Sequence, residues 1–506
     1  VPLFVEAPGE KVKDYLIARE RLSRASTRKL NLYFNDPVAF ISDCVDFGEG
    51  KALTPYQIEV VQDLVTYGRM AQRGPHGLGK TAVAALLVHW FSLTRDALGV
   101  DWKCLTTAGA WRQLEQYLWP EIHKWSKQLR WEQIGRTPYR REELLTLQLT
   151  LNFGRASAVA SNVPAYIEGA HADSIMYIFD ESKAVPDGTF DAAEGAFSGA
   201  TDGREAFALA SSTPGAPSGR FYDIHMHKRG LEDWHTRHVT LQEALDAKRL
   251  DPKWVEDRKL QWGEDSALYY NRVLGEFHND DTDSIIPLSW VEAAIERWYE
   301  NQNAPIMPMT QMGVDVARSG RDKTVVAKIH SHRVDELLYY QIPDLEEVAK
   351  HVMIQAAGHD EVVITIDADG VGAGVFDIVK NKLGLSRVRP FHAAEATTWR
   401  DRSRELEFLN VRAAAWWNLR ELLDPRSGAY LELPDDDQLL ADLSAPHRKP
   451  TARGKEAVEA KEDVKKRLAG RSTDAADAVI MGIWVKKKKR KRRMGNMGYG
   501  QDDSGV

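Results

Sequence analysis

Two groups of residues in this 506-residue chain have the types and spacing for chemistry. The first is Gly74-Pro-His-Gly77-Leu-Gly79-Lys80-Thr81, a glycine, four residues, then Gly-Lys-Thr. Glycines at these positions let backbone N–H groups curl round phosphate oxygens, and the apolar helical run after them points its positive N-terminal end at the same oxygens. In such a loop Lys80 reaches the β- and γ-phosphates of ATP and Thr81 holds Mg²⁺. About a hundred residues later the apolar run Ile175-Met-Tyr-Ile-Phe179 ends in Asp180-Glu181. Asp180 can order the water shell of the Mg²⁺, and Glu181 can polarise the attacking water as general base. An ordinary acidic turn after a buried strand is the bland alternative, and the phosphate loop upstream weighs against it.

Two weaker elements agree. Gln57, in Leu53-Thr-Pro-Tyr-Gln57, has an amide able to read an adenine edge, although the same residues also suit a helix start with Pro55 in its first turn. Phe207-Ala-Leu-Ala-Ser-Ser-Thr213 is a small apolar strand with a hydroxyl tip of the kind that senses a γ-phosphate beside an acidic strand.

The second group is carboxylic. Asp315 follows an apolar strand in Gly313-Val-Asp315-Val-Ala, Asp367 ends Val362-Val-Ile-Thr-Ile-Asp367, and Asp474 opens an apolar helix after Arg471-Ser-Thr. Acids at the ends of neighbouring strands, joined by one from a helix, can hold two divalent ions that clamp a phosphodiester and activate water. Carboxylate and water are the hard ligands that Mg²⁺ or Mn²⁺ prefer. A single Asp is more often a turn or a helix cap. Asp322, Asp369, Asp377 and Asp477 lie close enough in sequence to exchange roles with these three.

The elements that must position these residues follow from pattern and length. A chain this long exceeds a single core, and two or three domains are expected. Residues 1–50 read as a charged helical segment. Across 51–215 apolar strand-like runs alternate with amphipathic helices, which predicts an α/β unit with a central, mostly parallel sheet. Residues 216–285 are richer in helix signals, His and Trp, and suit a lid or linker. From 300 to 485 four strand-like runs come first and helices follow, a second, mixed α/β unit. Lys486–Arg493 is eight consecutive cations within a chain of net charge −7, and 486–506 reads as a basic, disordered tail that either solubilises or meets DNA phosphates. No apolar run approaches the roughly 18 residues of a membrane span, and the opening residues carry no pattern of a secretory leader. Cys44 and Cys104 stand apart without His partners, which argues against a zinc site or disulfide framework.

The ordered set Gln57, GPHGLGKT, the Asp180-Glu181 strand, SST, GVDVARSGRDKT, ITIDADGVGAGVFD and STDAADAV resembles the large terminase subunits of tailed phages, from about residue 50 to 485. The resemblance implies a P-loop packaging ATPase followed by an RNase H-like nuclease. It implies ATP hydrolysis by Lys80, Thr81, Asp180 and Glu181, and nuclease metals (Mg²⁺ or Mn²⁺, two ions) on Asp315, Asp367 and Asp474. It also implies double-stranded DNA, a portal protein, a small terminase subunit and a procapsid as partners, a ring of subunits on the portal with a monomer in isolation, and work in the host cytoplasm during infection. The stretch 106–122, TTAGAWRQLEQYLWPEI, resembles the family's segment coupling ATPase to DNA. Two departures stand out: His76 occupies a loop position where many members have Arg, and 166–173 has no Arg. Arg73, Arg155, Arg204 and Arg220 are therefore the candidate arginine fingers. A non-cutting helicase-like translocase and a portal adaptor with a non-enzymatic second half are the rival readings.

Overall fold

The computed structural model describes residues 27–197, 204–278, 284–317, 322–428, 430–451 and 454–484. The expected tail 486–506 and the start of the expected segment 1–50 lie outside them.

The first sheet has strands β1 (Arg69–Arg73), β2 (Trp102–Ala108), β3 (Leu144–Leu145), β4 (Gln148–Thr150), β5 (Gly154–Ala158), β6 (Ser174–Asp180), β7 (Glu205–Ser212) and β8 (His235–His238). Their order is β3-β4-β5-β2-β6-β7-β1-β8. From β5 to β8 all pairings are parallel, and β3 and β4 add an antiparallel edge. Helices cover both faces, so central strands need apolar side chains in both directions. β6 meets that need: Met176 and Ile178 join the core under the helix Lys80–Ala97, while Ile175, Tyr177 and Phe179 join the opposite core with Phe190 and Trp234. β7 lies between β6 and β1, which brings its hydroxyl tip beside both the acidic strand and the phosphate loop.

The second sheet comprises β9 (Gln311–Asp315), β10 (Thr324–His330), β11 (Arg333–Tyr340), β12 (Val363–Asp367) and β13 (Val388–Phe391). Its order is β11-β10-β9-β12-β13, with β9, β10 and β11 antiparallel and β12 and β13 parallel to β9. This is the RNase H-like order, and both units are α/β as their alternation of patterns predicts. Alternation again divides the side chains. Val325, Ala327 and Ile329 enter the core with the helices Val411–Leu423 and Asp474–Ile483, and Met312, Val314 and Val326 enter the one with Leu345–Gln355 and Gly372–Leu383.

The segment 216–285 divides its allegiance. It supplies β8 to the edge of the first sheet, paired with β1, whereas Trp262, Leu268, Tyr269 and Val273 pack into the core of the second unit. The helix Leu288–Glu300 buries Leu288, Val291, Ala294 and Ile295 in that same core, at the spacing of one helical face. Its other face carries Glu292 and Glu296 back towards the first unit.

Candidate functional sites at a phosphate loop and a carboxylate cluster

The loop 74–79 leaves β1 and feeds the N-terminus of the helix Lys80–Ala97. Gly79 is left-handed at φ 79°, and a Cβ there would lie 2.8 Å from the Gln57 side-chain nitrogen, so only glycine serves. Lys80 is buried and its Nζ donates to the Pro75 carbonyl at 2.8 Å. Burial lowers its proton affinity, opposed by the carboxylates of Glu181 and Asp180. Asp180, at the end of β6, is 3% exposed and hydrogen-bonded by Thr81. Burial, then the charge of Glu181, pushes its pKa up. A buried acid so destabilised, beside a hydroxyl, is donor chemistry that suits a hard divalent cation. Glu181 sits at φ 44°, a strained conformation for a side chain of its size. Its Oε2 accepts from Ser212 Oγ at 3.0 Å, so β7 orients the acid that β6 presents. Thr213 Oγ1 is buried without a protein partner and lines the adjoining cavity.

Both ends of the Gln57 amide have protein partners. Its Oε1 accepts from the Thr54 N–H at 3.0 Å and its Nε2 donates to the Leu78 carbonyl at 2.9 Å. Tyr56 also donates to Leu78, at 3.1 Å. This helix start thereby braces the phosphate loop. Arg249 adds a third brace, its Nε donating to the Gly77 carbonyl at 3.2 Å.

A cavity of about 870 Å³ opens from His76, Thr81, Asp180 and Glu181 to the second unit's Glu292 and Asp437. None of Arg73, Arg155, Arg204 and Arg220 lines it. Arg73 donates to the Gly275 carbonyl at 2.8 Å, and Arg220 pairs with Asp191 at 2.7 Å. The cations on its wall include Arg112, Lys183 and Arg272 instead. Lys183 pairs with Glu292 at 2.9 Å, and Arg112 with Glu296 at 2.7 Å. Arg272 lies 3.4 Å from Asp437 and 3.8 Å from Glu292, while its carbonyl accepts from the His76 N–H at 2.9 Å. His76 is exposed on the cavity wall, where desolvation by the surrounding walls and the charges of Arg272, Lys80 and Lys183 lower its proton affinity. These partners are remote in sequence, so only Lys183, two residues past Glu181, could have been suspected from position.

The second site forms where β9 and β12 end. Ile366 pairs with Val314, so Asp367 and Asp315 follow in register at the same edge. Gly313 lets the helix Asp474–Ile483 approach: a Cβ there would stand 1.9 Å from the Ala478 carbonyl. That approach brings the first turn of the helix, with Asp474 and Asp477, over the strand ends. Asp315, Asp367 and Asp477 line one small cleft with Lys461 and Arg412. Lys461 pairs with Asp477 at 3.2 Å, and Asp477 above all raises its pKa. Asp474 stands next to the cleft with its carboxylate turned to the Lys323 N–H (2.9 Å) and the Ser472 hydroxyl. Burial, followed by Asp477 and Asp474, holds Asp315 well above the carboxylate range. Burial also raises Asp367 and Asp474. Of the other nearby acids, Asp369 bonds His392, Asp322 bonds Lys465, and Asp377 bonds Lys380. Among the described residues no three His, Cys, Asp or Glu side chains stand as a ready metal cage. The oxygen donors suit a hard cation, and the ammonium of Lys461 meets part of their demand for positive charge.

No protein-family model matches the chain. It is 27% identical over 332 residues to the "Probable terminase, large subunit" of Enterobacteria phage P7. The chain is similar to a large terminase subunit. The match covers 63% of this chain and 64% of that relative, so the chain spans less than two thirds of the relative's length. Among solved structures, the nuclease domain of the large terminase subunit gp2 of bacterial virus Sf6 is 22% identical, covering 39% of this chain and 97% of its own at a TM-score of 0.33. The large terminase of the thermophilic bacteriophage D6E is 13% identical, covering 85% and 100% at 0.38. At such scores the fold stands on its own strand order. No helix among the described residues is long and apolar enough to cross a membrane.

Proposed function

We propose that this chain is the large subunit of a phage terminase, moving double-stranded DNA by ATP hydrolysis and cutting it with its second unit. The observation that carries the reading is the pairing of two sites in one chain: a phosphate loop beside Asp180-Glu181, and carboxylates at the ends of β9 and β12. The similarity over 332 residues supports it.

In the first site the loop 74–79 and Lys80 receive the phosphates, and Thr81 with Asp180 would hold Mg²⁺. Glu181, oriented by Ser212, takes a proton from the attacking water. Thr213 offers a hydroxyl to the terminal phosphate, and Lys183 and Arg272 offer positive charge where charge accumulates. Gln57 and Arg249 keep the loop in shape.

In the second site Asp315, Asp367 and the helix acids Asp474 and Asp477 would hold Mg²⁺ or Mn²⁺. When bound, the ions supply a Lewis acid and an activated water for phosphodiester cleavage. Lys461 and Arg412 bring positive charge to the same cleft, which suits a DNA phosphate. Partners in this reading are the portal, a small terminase subunit and a procapsid, met in the host cytoplasm, with contacts mostly to phosphates because a packaging motor must accept any sequence.

The test is plasmid cleavage in Mg²⁺ or Mn²⁺ by wild type and Asp367→Asn, with ATP turnover by wild type and Lys80→Ala. Metal-dependent cutting lost in the first variant and ATP turnover lost in the second are expected. A folded wild type that turns over ATP and never cuts, even with its partners supplied, leaves a translocase without a nuclease.

A further inference from the structure

The two sites are joined by one short helix, Asp437–Ser444. Its first residue, Asp437, lines the nucleotide cavity and lies 3.4 Å from Arg272 and 3.5 Å from Arg258. Further along, Asp442 is fully buried, paired with Arg471, and accepts from the Ala475 N–H at 3.0 Å. That N–H is one of the free donors in the first turn of the helix bearing Asp474 and Asp477. Arg471 also donates to the Gln261 carbonyl at 3.0 Å, tying the same corner to the connecting segment.

We propose that the helix Asp437–Ser444 is a rigid link that reports occupancy of the nucleotide cavity to the carboxylate site, with Asp442 as a positioning residue for that site. The inference rests on the assignment of both sites above. The link is stiff because Leu439, Leu440 and Leu443 are buried in the core shared with the helix Asp474–Ile483. Asp436 caps it, accepting from the Leu439 N–H at 2.8 Å and from Tyr339 Oη at 2.8 Å. Eight residues of helix span about 12 Å, a single rigid step between the sites.

The input is electrostatic exchange. Arg272 is bound to the phosphate loop by its backbone and to the second unit by its side chain. A terminal phosphate seated near Thr81 and Thr213 competes with Asp437 and Glu292 for that guanidinium. When Arg272 turns to the phosphate, Asp437 keeps only Arg258 among the described residues, and the helix moves as one rigid piece with the core it is packed in. At the other end the shift is delivered through Asp442 to the Ala475 N–H, and so to the placement of Asp474 and Asp477.

Hydrogen–deuterium exchange of the full chain, with and without saturating ATPγS and Mg²⁺, tests the link. Peptides covering 472–484 should change protection on nucleotide binding in wild type and not in Asp437→Asn. Mn²⁺-dependent plasmid cleavage should depend on nucleotide in wild type and lose that dependence in the variant. Asp442→Ala should lower the kcat of cleavage roughly tenfold or more, as loss of a residue behind a metal ligand does, at an unchanged KM for DNA. Asp442→Asn, which keeps an acceptor for Ala475, should recover much of it. Equal losses in both would overturn the role of Asp442. Protection at 472–484 that ignores bound nucleotide in wild type, or still responds in Asp437→Asn, would overturn the link. Exchange that responds in a chain that never cuts removes the nuclease assignment and leaves the link standing. A chain that binds no nucleotide removes the first site and the link together.

Discussion

Replacing Arg112 tests whether the walls of the cavity beside Asp180 and Glu181 hold the two units together. Its guanidinium reaches Glu296 with Nη2 at 2.7 Å and Nε at 3.2 Å, and its carbon stands 3.7 Å from the ring centre of Tyr299. The Arg112 side chain is 11% exposed and that of Glu296 28%, so water can partly replace either partner but not the whole fork. A hydrogen bond to a charged group contributes about 1.5–3 kcal/mol, and a cation over an aromatic ring about 0.5–2 kcal/mol. Arg112→Ala should therefore cost about 2–4 kcal/mol, with roughly 1–2 kcal/mol of it coupled to Glu296 after discounting for solvent. Arg112→Lys keeps the charge but gives up the two-pronged geometry and the flat stack, and should recover less than half. The assay is a double-mutant cycle with Glu296→Gln, read on the thermal transition. A unit of about 200 residues shifts by roughly 2–4 °C per kcal/mol. Effects of Arg112→Ala and Glu296→Gln that simply add, or an Arg112→Lys protein as stable as wild type, would refute the reasoning. The position matters because 106–122 is the segment expected to couple ATPase and DNA, and Arg112 binds it to the second unit.

Glu181→Gln should keep nucleotide binding and lose ATP turnover by about 100-fold or more, the scale of general base catalysis. Equal turnover by the variant would return Glu181 to being a turn residue. In Mn²⁺-dependent cleavage, Asp477→Asn should be at least as damaging as Asp474→Asn, because Asp477 lines the cleft with Asp315 and Asp367. A fully active Asp477→Asn with an inactive Asp474→Asn would mean that Asp474 turns inward when ions bind. The pH dependence of stability should carry the mark of Asp442, whose pKa burial pushes up to about 7 in spite of Arg471. A carboxyl that holds its proton more tightly in the folded chain favours folding at low pH, so its contribution falls as pH rises from about 4 to about 7. The stability of wild type relative to Asp442→Asn should therefore decline over that window in thermal melts, and a flat or rising difference would place Asp442 as an ordinary ion pair.

Patterns that act within one element were legible in the sequence. The alternation of strand and helix runs gives both units their α/β class, and β6, β9 and β12 fall where the apolar runs do. The glycines of 74–79 announce the tight loop from β1 into the helix Lys80–Ala97, because the backbone demands of that loop are local. What was not legible depends on distant partners. Glu292 and Glu296 look like surface charges on an amphipathic helix until the fold brings Lys183 and Arg112 to them. Gln57 offers an amide that sequence alone cannot assign, and Thr54 and Leu78 engage both of its ends. Asp474 and Asp477 lie three apart on one helical face, and only the neighbouring Ser472, Lys323 and Lys461 separate their roles. Trp262 to Val273 read as part of a lid, yet their apolar side chains complete the core of the second unit.

The connecting segment is anchored at both ends, at β8 in the first sheet and at Trp262 to Val273 in the second core. A pull on the second unit is then not taken up by slack chain. Besides the ion pairs across the cavity, it is carried to an edge strand whose residues His235 to His238 lie in parallel register with Met70 to Arg73. Parallel neighbours loaded along their length resist in shear, with their hydrogen bonds strained together, whereas a peeled strand gives way one bond at a time. The neighbour that bears this shear is β1, which runs directly into the loop 74–79. In the packaging reading proposed above, load carried along β8 and phosphate binding by the loop would meet at the same few residues.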